Sequence, residues 1–290
     1  MTALRDSAKA KINLTLEVPG RRADGYHELK SLVAFAELGD AVELELEHDL
    51  DLLVEGPFAG ALSADNLILT AAAAAKAAYS PLKLGRFHLA KTLPVAAGLG
   101  GGSADAACAL RLLERANPGA LDEESWREIA EGLGSDVPVC LKGRPALMTG
   151  RGETVTPVRG FPSCAIVLAN PGLPLAAADV YGVLVSSDLA APPEQPAEVL
   201  DFTGSFQRLI TYAAARGNDL EPAALSLAPV IAEVLVALQH CEGARLARLS
   251  GSGPTCFALF ATEDEAKAAA TSLQAAHPSW WIAATPLEAS

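Results

Sequence analysis

Positive charge is in short supply. The chain has 22 lysines and arginines against 35 aspartates and glutamates, a net charge of −13. General nucleic-acid binders and binders of anionic membranes need a basic surface, so the composition argues against both. A small anionic ligand needs only one local cationic site and stays open. Cysteine is also scarce. Cys108, Cys140, Cys164, Cys241 and Cys256 are odd in number, make no C-x-x-C pair, and stand mostly in apolar runs such as VPVCL and SCAIVL. That pattern fits buried reduced thiols rather than a disulfide frame or a zinc site. Long apolar runs are missing too. The longest, LILTAAAAAKAAY, is broken by Lys76 and reads as a soluble helix, not a membrane span. The first residues, MTALRDSAKAK, contain no apolar segment of a secretory signal. A cytoplasmic, soluble protein is expected. Its 290 residues, 50% hydrophobic, are ample for a core in one large or two smaller domains.

Glycine is crowded in one place. PVAAGLGGGSADAACALRLLERA (94–116) sets Gly98, Gly100, Gly101 and Gly102 directly before a helical run. Glycine in or beside a helix costs about 1 kcal/mol relative to alanine, so four of them need a reason. Strand, glycine turn, helix is the arrangement that binds phosphate. Bare backbone lets several N–H groups converge on one anion, and the helix N-terminus adds partial positive charge. Ser103 is expected as the helix N-cap, or as a hydroxyl reaching a phosphate or metal ion. The bland alternative is a flexible turn. The P-loop pattern is absent, since no lysine follows the glycines. A dinucleotide fingerprint is nearly met by GLGGGSA, but the stretch about twenty residues on, LDEESW, looks helical.

Periodicity predicts the remaining elements. AKINLTLEV (10–18) alternates, with Ile12, Leu14, Leu16 and Val18 on one face and Lys11, Asn13, Thr15 and Glu17 on the other. AVELELEH (41–48) alternates again, and RFHLAK (86–91) is a strand leading to the glycine loop. Helices are expected over 66–79, 103–116, 123–133, 205–215, 222–239 and 263–276. Strands are expected over 162–172 and 280–285, with strand, glycine turn, strand in ARLARLSGSGPTCFALFA. AAPPEQPAE (190–198) is the most linker-like stretch. Strands alternating with helices in both halves predict an α/β or α+β chain of two lobes, dividing between about 145 and 165.

Other motifs are ordinary singly. Asp136, in LGSDVPVCL, reads as a turn or cap residue. Lys11 and Asn13 read as the solvated face of a strand. Tyr26 and His27, in RRADGYHEL, read as an amphipathic loop pair, and LSGSGPTCF as a hairpin turn. In this order together, they change the odds.

The segments resemble the family of small-molecule kinases that includes galactokinase, homoserine kinase, mevalonate kinase and phosphomevalonate kinase. The family's phosphate loop, P-x-x-x-G-L-G-x-x-S-A, is matched by Pro94, Gly98, Leu99, Gly100, Ser103 and Ala104. AKINLTL, RRADGYHEL, PVAAGLGGGSADAA, GSDVPVCL, NPGLPLAAADVY, GNDLEP and LSGSGPT follow, from about residue 7 to 260, the order of one branch. That branch uses ATP to phosphorylate the 2-hydroxyl of a diphosphocytidyl-linked methylerythritol in non-mevalonate isoprenoid synthesis. The resemblance implies an α+β fold of two lobes with the active site in the cleft between. These are an N-terminal ATP-binding kinase domain over 1–155, carrying the loop, and a C-terminal ferredoxin-like kinase domain over 156–290.

The resemblance also implies site residues. Lys11 and Asp136 take the catalytic positions, Asp136 accepting or orienting the hydroxyl proton and Lys11 stabilising the transferring phosphoryl group and the ionised Asp136. Asn13 lies beside them, and Tyr26, His27 and Tyr181 hold the cytidine, the two tyrosines sandwiching the base. The ATP phosphates go to Pro94, Val95, Ala96, Ala97, Gly98, Leu99, Gly100, Gly101, Gly102, Ser103 and Ala104, with Mg²⁺ bridging them through unassigned ligands. Asn66 and Lys91 fall on the adenine side. Ala96 and Ala97 depart from the glycines of some relatives. Asp105 is awkward in the first helical turn and is expected to point away, or to assist Mg²⁺ through water. The partner is a small molecule, with neither nucleic acid nor membrane involved. The alternatives are a related kinase of another alcohol, a non-catalytic nucleotide-binding protein and, more remotely, a dinucleotide-dependent oxidoreductase.

Overall fold

In chain order the strands and helices begin with β1 (Leu4–Asn13), β2 (Glu17–Arg21), β3 (His27–Glu45) and β4 (Asp51–Glu55). Then come α1 (Leu67–Ala78), β5 (Arg86–Ala90), α2 (Gly101–Ala116), α3 (Glu123–Leu133) and α4 (Val137–Lys142). These are followed by β6 (Ala146–Gly150), β7 (Thr154–Pro157), β8 (Cys164–Asn170), α5 (Ala177–Val183), α6 (Phe206–Ala214), α7 (Glu221–Leu227) and α8 (Val230–Gln239). The chain ends with β9 (Leu246–Leu249), β10 (Cys256–Phe260), α9 (Glu263–Ala276) and β11 (Trp281–Leu287). This is the computed structural model of the chain, and it describes residues 3–62, 65–184 and 198–289. The linker-like stretch 190–198 lies, but for Glu198, outside the described residues.

By contact the chain forms two units that interleave along the sequence, one of residues 1–10, 38–95 and 100–143 and the other of 11–37, 96–99 and 144–290. The predicted division at 155/156 describes contiguous halves instead. Contact follows strand pairing, and the long strand β3 runs through both units.

In the first unit β5 pairs antiparallel with the end of β3, from Ala41↔Ala90 to Glu45↔Arg86, and parallel with β4. Helix α1 packs on α2, and α2 on α4. Alanines at 71, 72 and 75 of α1 and at 104, 106, 107 and 109 of α2 are buried, and their small size lets helices approach closely. Helix α2 is buried continuously from Ala104 to Leu110 and again at Leu112 and Leu113, while Glu114 and Arg115 are exposed at its end. Arg111 ties it to β1 through Asp6 and Ser7, and to α4 through the Cys140 carbonyl.

In the second unit β8 is buried along its whole length between β10 and β11, both antiparallel to it. The strand order is β11-β8-β10-β9, with α5–α8 joining β8 to β9 and α9 joining β10 to β11. One core cluster unites Val167 and Ala169 of β8, Ile231, Val234 and Leu238 of α8, Phe260 and Leu273. Helix α9 starts at a reciprocal cap: Thr262 Oγ1 accepts from Glu265 N, and Glu265 accepts from Thr262 N. Mixed strand pairing with helices makes the chain α+β.

Two expected elements differ. The strand over 10–18 is two strands, since the chain leaves the ladder at Leu14–Leu16, where Leu16 N donates to the Gly217 carbonyl. Residues 10–16 are buried throughout, so the polar face of that strand is not solvated. The helix over 222–239 is split at Pro229, because proline lacks the donor and disfavours helical geometry at Ala228 (φ −136°, ψ 78°). All five cysteines are free, four of them buried. Burial pushes the Cys108 and Cys164 thiols up to about 12.

Candidate active site

The glycine segment opens helix α2 by backbone conformation. Gly98 (φ 73°) and Gly100 (φ 62°) are left-handed, and so is Ala96 (φ 51°). Gly100, not Ser103, is the N-cap, and the helix begins at Gly101. The left-handed glycine sets the start, which places Ser103 inside the first turn. The first intrahelical bond runs from Ala104 N to the Gly100 carbonyl. The N–H groups of Gly101, Gly102 and Ser103 precede that ladder, where a helix has donors to spare for an anion.

The first half of the segment is stitched down within the second unit. Leu175 N donates to the Ala96 carbonyl, Thr255 N to Ala97 and Lys11 N to Leu99, at 3.2, 3.2 and 2.9 Å. The turn between β9 and β10 lies against it. A Cβ at Gly98 would stand 2.3 Å from the Ser250 carbonyl oxygen, so only glycine fits there.

Lys11 and Asn13 sit at positions i and i+2 of β1, on one face. The Lys11 ammonium donates to Asn13 Oδ1 (2.7 Å), and Asn13 Nδ2 donates to Ser31 Oγ (2.8 Å). Ser31 Oγ donates to the Thr15 carbonyl, while Ser250 Oγ accepts from Asn13 N and donates to the Gly98 carbonyl. The buried amide therefore connects a lysine, a strand and the glycine segment.

Asp136, in the first unit, is half-buried at the N-cap of α4. Its backbone carbonyl accepts Cys140 N, and its carboxylate does not cap the helix. Asn66 does act as a cap, its Oδ1 accepting Ile68 N at the start of α1 (2.9 Å).

Lys91 points inward. It is 1% exposed and donates to Asp40 Oδ2 and Asp105 Oδ2, both at 2.6 Å. Burial pushes the Asp105 carboxyl up to about 7 against the pull of Lys91. Its Oδ1 is buried without a hydrogen-bond partner. Asp105 thus faces the lysine.

The aromatic residues make two separate contacts. Tyr181 stacks on His27, with ring centroids 5.0 Å apart, while the exposed Tyr26 lies under the Arg151 guanidinium at 4.9 Å. Burial, and next the charge of Arg21, holds the His27 imidazole below its ordinary range, so the ring is neutral at pH 7.

Residues 66–144 match the model described as GHMP kinases N terminal domain, and residues 201–279 the one described as GHMP kinases C terminal. A curated relative from Parvibaculum lavamentivorans, 4-diphosphocytidyl-2-C-methyl-D-erythritol kinase, is 50% identical over 279 residues, 96% of each chain. The chain belongs to this kinase family. A solved structure of a 4-(cytidine 5'-diphospho)-2C-methyl-D-erythritol kinase is 33% identical with a TM-score of 0.78, covering 99% of this chain and 100% of its own. A homoserine kinase structure from Cytophaga hutchinsonii shares the fold at 16% identity (TM-score 0.71, covering 98% of this chain and 95% of its own).

Asp40 and Arg151 escape motif reading, while Ser250 and Asn218 lie inside LSGSGPT and GNDLEP without being singled out. Asn218 Nδ2 donates to the carbonyls of Leu249 and Gly251, shaping the β9–β10 turn. Asp40 carries a periodicity signal. It stands in phase with the buried Val42 and Leu44, as Lys91 does with Phe87 and Leu89. Acid and base at core-facing positions of two strands are a legible sign of a buried pair.

Proposed function

We propose that the chain transfers the γ-phosphoryl group of ATP to the 2-hydroxyl of 4-diphosphocytidyl-2-C-methyl-D-erythritol, giving the 2-phosphate and ADP in the cytoplasmic, non-mevalonate synthesis of isoprenoid precursors. One observation carries the reading. The left-handed Gly98 and Gly100 deliver the chain into the N-terminus of a sixteen-residue helix, a backbone shape suited to polyphosphate. The full-length relatives named for this reaction support it. The connectivity of β8–β11, strand–helices–strand–strand–helix–strand, supports a ferredoxin-like C-terminal lobe.

Phosphoryl transfer asks mainly for positioning and charge neutralisation. The backbone from Pro94 through Val95, Ala96, Ala97, Gly98, Leu99, Gly100, Gly101 and Gly102 to Ser103 and Ala104 holds the phosphates. The donors at the start of α2 fit a polyphosphate carrying Mg²⁺, and the Ser103 hydroxyl is the side chain of that turn suited to the ion. When bound, Mg²⁺ neutralises charge on the β- and γ-phosphates. Asp136 orients the acceptor hydroxyl and receives its proton, a loose transition state asking little base strength. Lys11, held by Asn13, steadies charge on the transferring group. His27 and Tyr181 form the stacked platform for the cytosine, with Tyr26 beside it, and the neutral His27 ring can both donate and accept at the base edge. Asn66 serves the adenine side.

A coupled ADP-release assay with the diphosphocytidyl acceptor, homoserine and mevalonate tests the reading. Turnover is expected with the first alone, and equal turnover with another alcohol overturns it. Asp136→Ala should lower turnover by about 10²–10⁴-fold with ATP binding intact. Near-wild-type turnover would remove Asp136 from the chemistry.

A further inference from the structure

The cluster of Asp40, Lys91 and Asp105 is not used by this chemistry, yet among the described residues it brings three buried charged side chains into direct contact. The ladder between β3 and β5 pairs Ala41 with Ala90, so one step further Asp40 faces Lys91. Asp40 is fully buried and uses both oxygens. Oδ2 takes the Lys91 ammonium, and Oδ1 accepts Thr92 N (2.5 Å) and Leu93 N (2.9 Å), the two residues before Pro94. Thr92 Oγ1 donates to the Gly39 carbonyl (2.9 Å). Lys91 carries the connection to Asp105, in the second turn of α2. A Cβ on Gly101 would come within 3.2 Å of the Lys91 ammonium and 3.9 Å of Asp40 Oδ2, so the first residue of α2 rests directly on the cluster.

Such a cluster is poorly explained by stability. Removing three charges from water costs several kcal/mol per ion, and replacing buried ion pairs with neutral groups of similar volume is often neutral or stabilising. What the cluster supplies is geometry: it joins β3, the end of β5 and the start of α2 through short, directional contacts.

We propose that Asp40 is a positioning residue for ATP. Through Oδ1 it fixes the chain entering the glycine loop, and through Lys91 and Asp105 it fixes where α2 begins, so the loop's N–H groups are held ready for the phosphates. The proposal rests on the reading that this loop binds ATP. Lys91 then acts on the nucleotide through the backbone it holds, not by touching adenine.

The test compares wild type, Asp40→Asn, and the neutral triple variant Asp40→Asn, Lys91→Met, Asp105→Asn. Mg-ATP alone is titrated into each by calorimetry, thermal melts are recorded, and KM is measured for both substrates. The expected result is a rise of at least tenfold in Kd and KM for ATP in both variants. Acceptor KM and kcat at saturating ATP should stay within about twofold, and the triple variant should melt near wild type. Wild-type ATP affinity in a folded variant overturns the proposal, as does an equal rise in both KM values. Failure of Asp40→Asn to fold also overturns it, since the cluster would then be a stability element. Failure of wild type itself to bind ATP sinks the underlying reading instead.

Discussion

Two glycine-rich turns, 98–102 and 251–253, look alike in sequence and lead into different structures. Both contain left-handed glycines: Gly98 and Gly100 in the first, Gly251 and Gly253 in the second. The second closes on itself. Ser250 N donates to the Thr255 carbonyl and Gly253 N to the Ser250 carbonyl, which ties the turn back on itself between β9 and β10, while Thr255 N reaches out to the Ala97 carbonyl. Its glycines exist for close approach, a Cβ on Gly251 meeting Asn13 Oδ1 at 3.0 Å. The first turn ends in a sixteen-residue helix instead, whose opening N–H groups lie ahead of the intrahelical ladder. Glycine content therefore does not identify a phosphate loop. What the chain does after the glycines decides whether donors remain for a ligand.

Gly98→Ala should have the largest effect, because Gly98 belongs to the first turn but packs like the second. Its Cβ would meet the Ser250 carbonyl at 2.3 Å from a left-handed backbone. A loss of about 3 kcal/mol or more is expected from denaturant unfolding. A stability loss under about 1 kcal/mol would show that the two turns are not locked together. Gly101→Val comes next, since its side chain would press on Lys91 and displace the start of α2. ATP affinity should fall about 100-fold in a calorimetric titration, and retained affinity would make the first turn no more than a turn like the second. Gly251→Ala should be mildest, at about 1–2 kcal/mol of left-handed strain, with ATP affinity within about twofold. A large loss of affinity there would erase the distinction.

How much could be read beforehand depended on the range of the forces involved. Helix α9 was legible to its ends because a Thr262–Glu265 cap is written within four residues. Helix α3 was legible for a similar reason, with Asp122 capping it and Gly134 closing it. The split at Pro229 was written in the chain, but the alanine- and leucine-rich flanks on both sides masked it. The strand break at Leu14 was not local at all. It depends on Gly217, two hundred residues away, taking the backbone bond that the ladder gives up. At the candidate site, motifs identified Lys11, Asn13, His27, Tyr181 and Asp136 as residues of interest, while their partners stayed hidden. Ser31 and Asp40 have no motif, and the LSGSGPT motif does not mark Ser250 as a partner, because a buried hydrogen-bond partner is chosen by position in space and not by neighbours in sequence. Asp40 and Lys91 were partly exposed by phase alone: each breaks an alternating apolar series.

The sequence by itself determined most helices and the position of the glycine-rich segment, because periodicity, caps and glycine spacing act over a few residues, and its motifs in their order carried the resemblance that pointed to the kinase family and the α+β class. The tertiary structure alone decided that helix α2 starts at Gly100–Gly101 rather than at Ser103. It also decided that Tyr181 stacks with His27, and that Lys91 is enclosed by Asp40 and Asp105. Each of these is settled by strand register and close packing between distant segments, where a carboxylate must be satisfied and a Cβ either fits or does not.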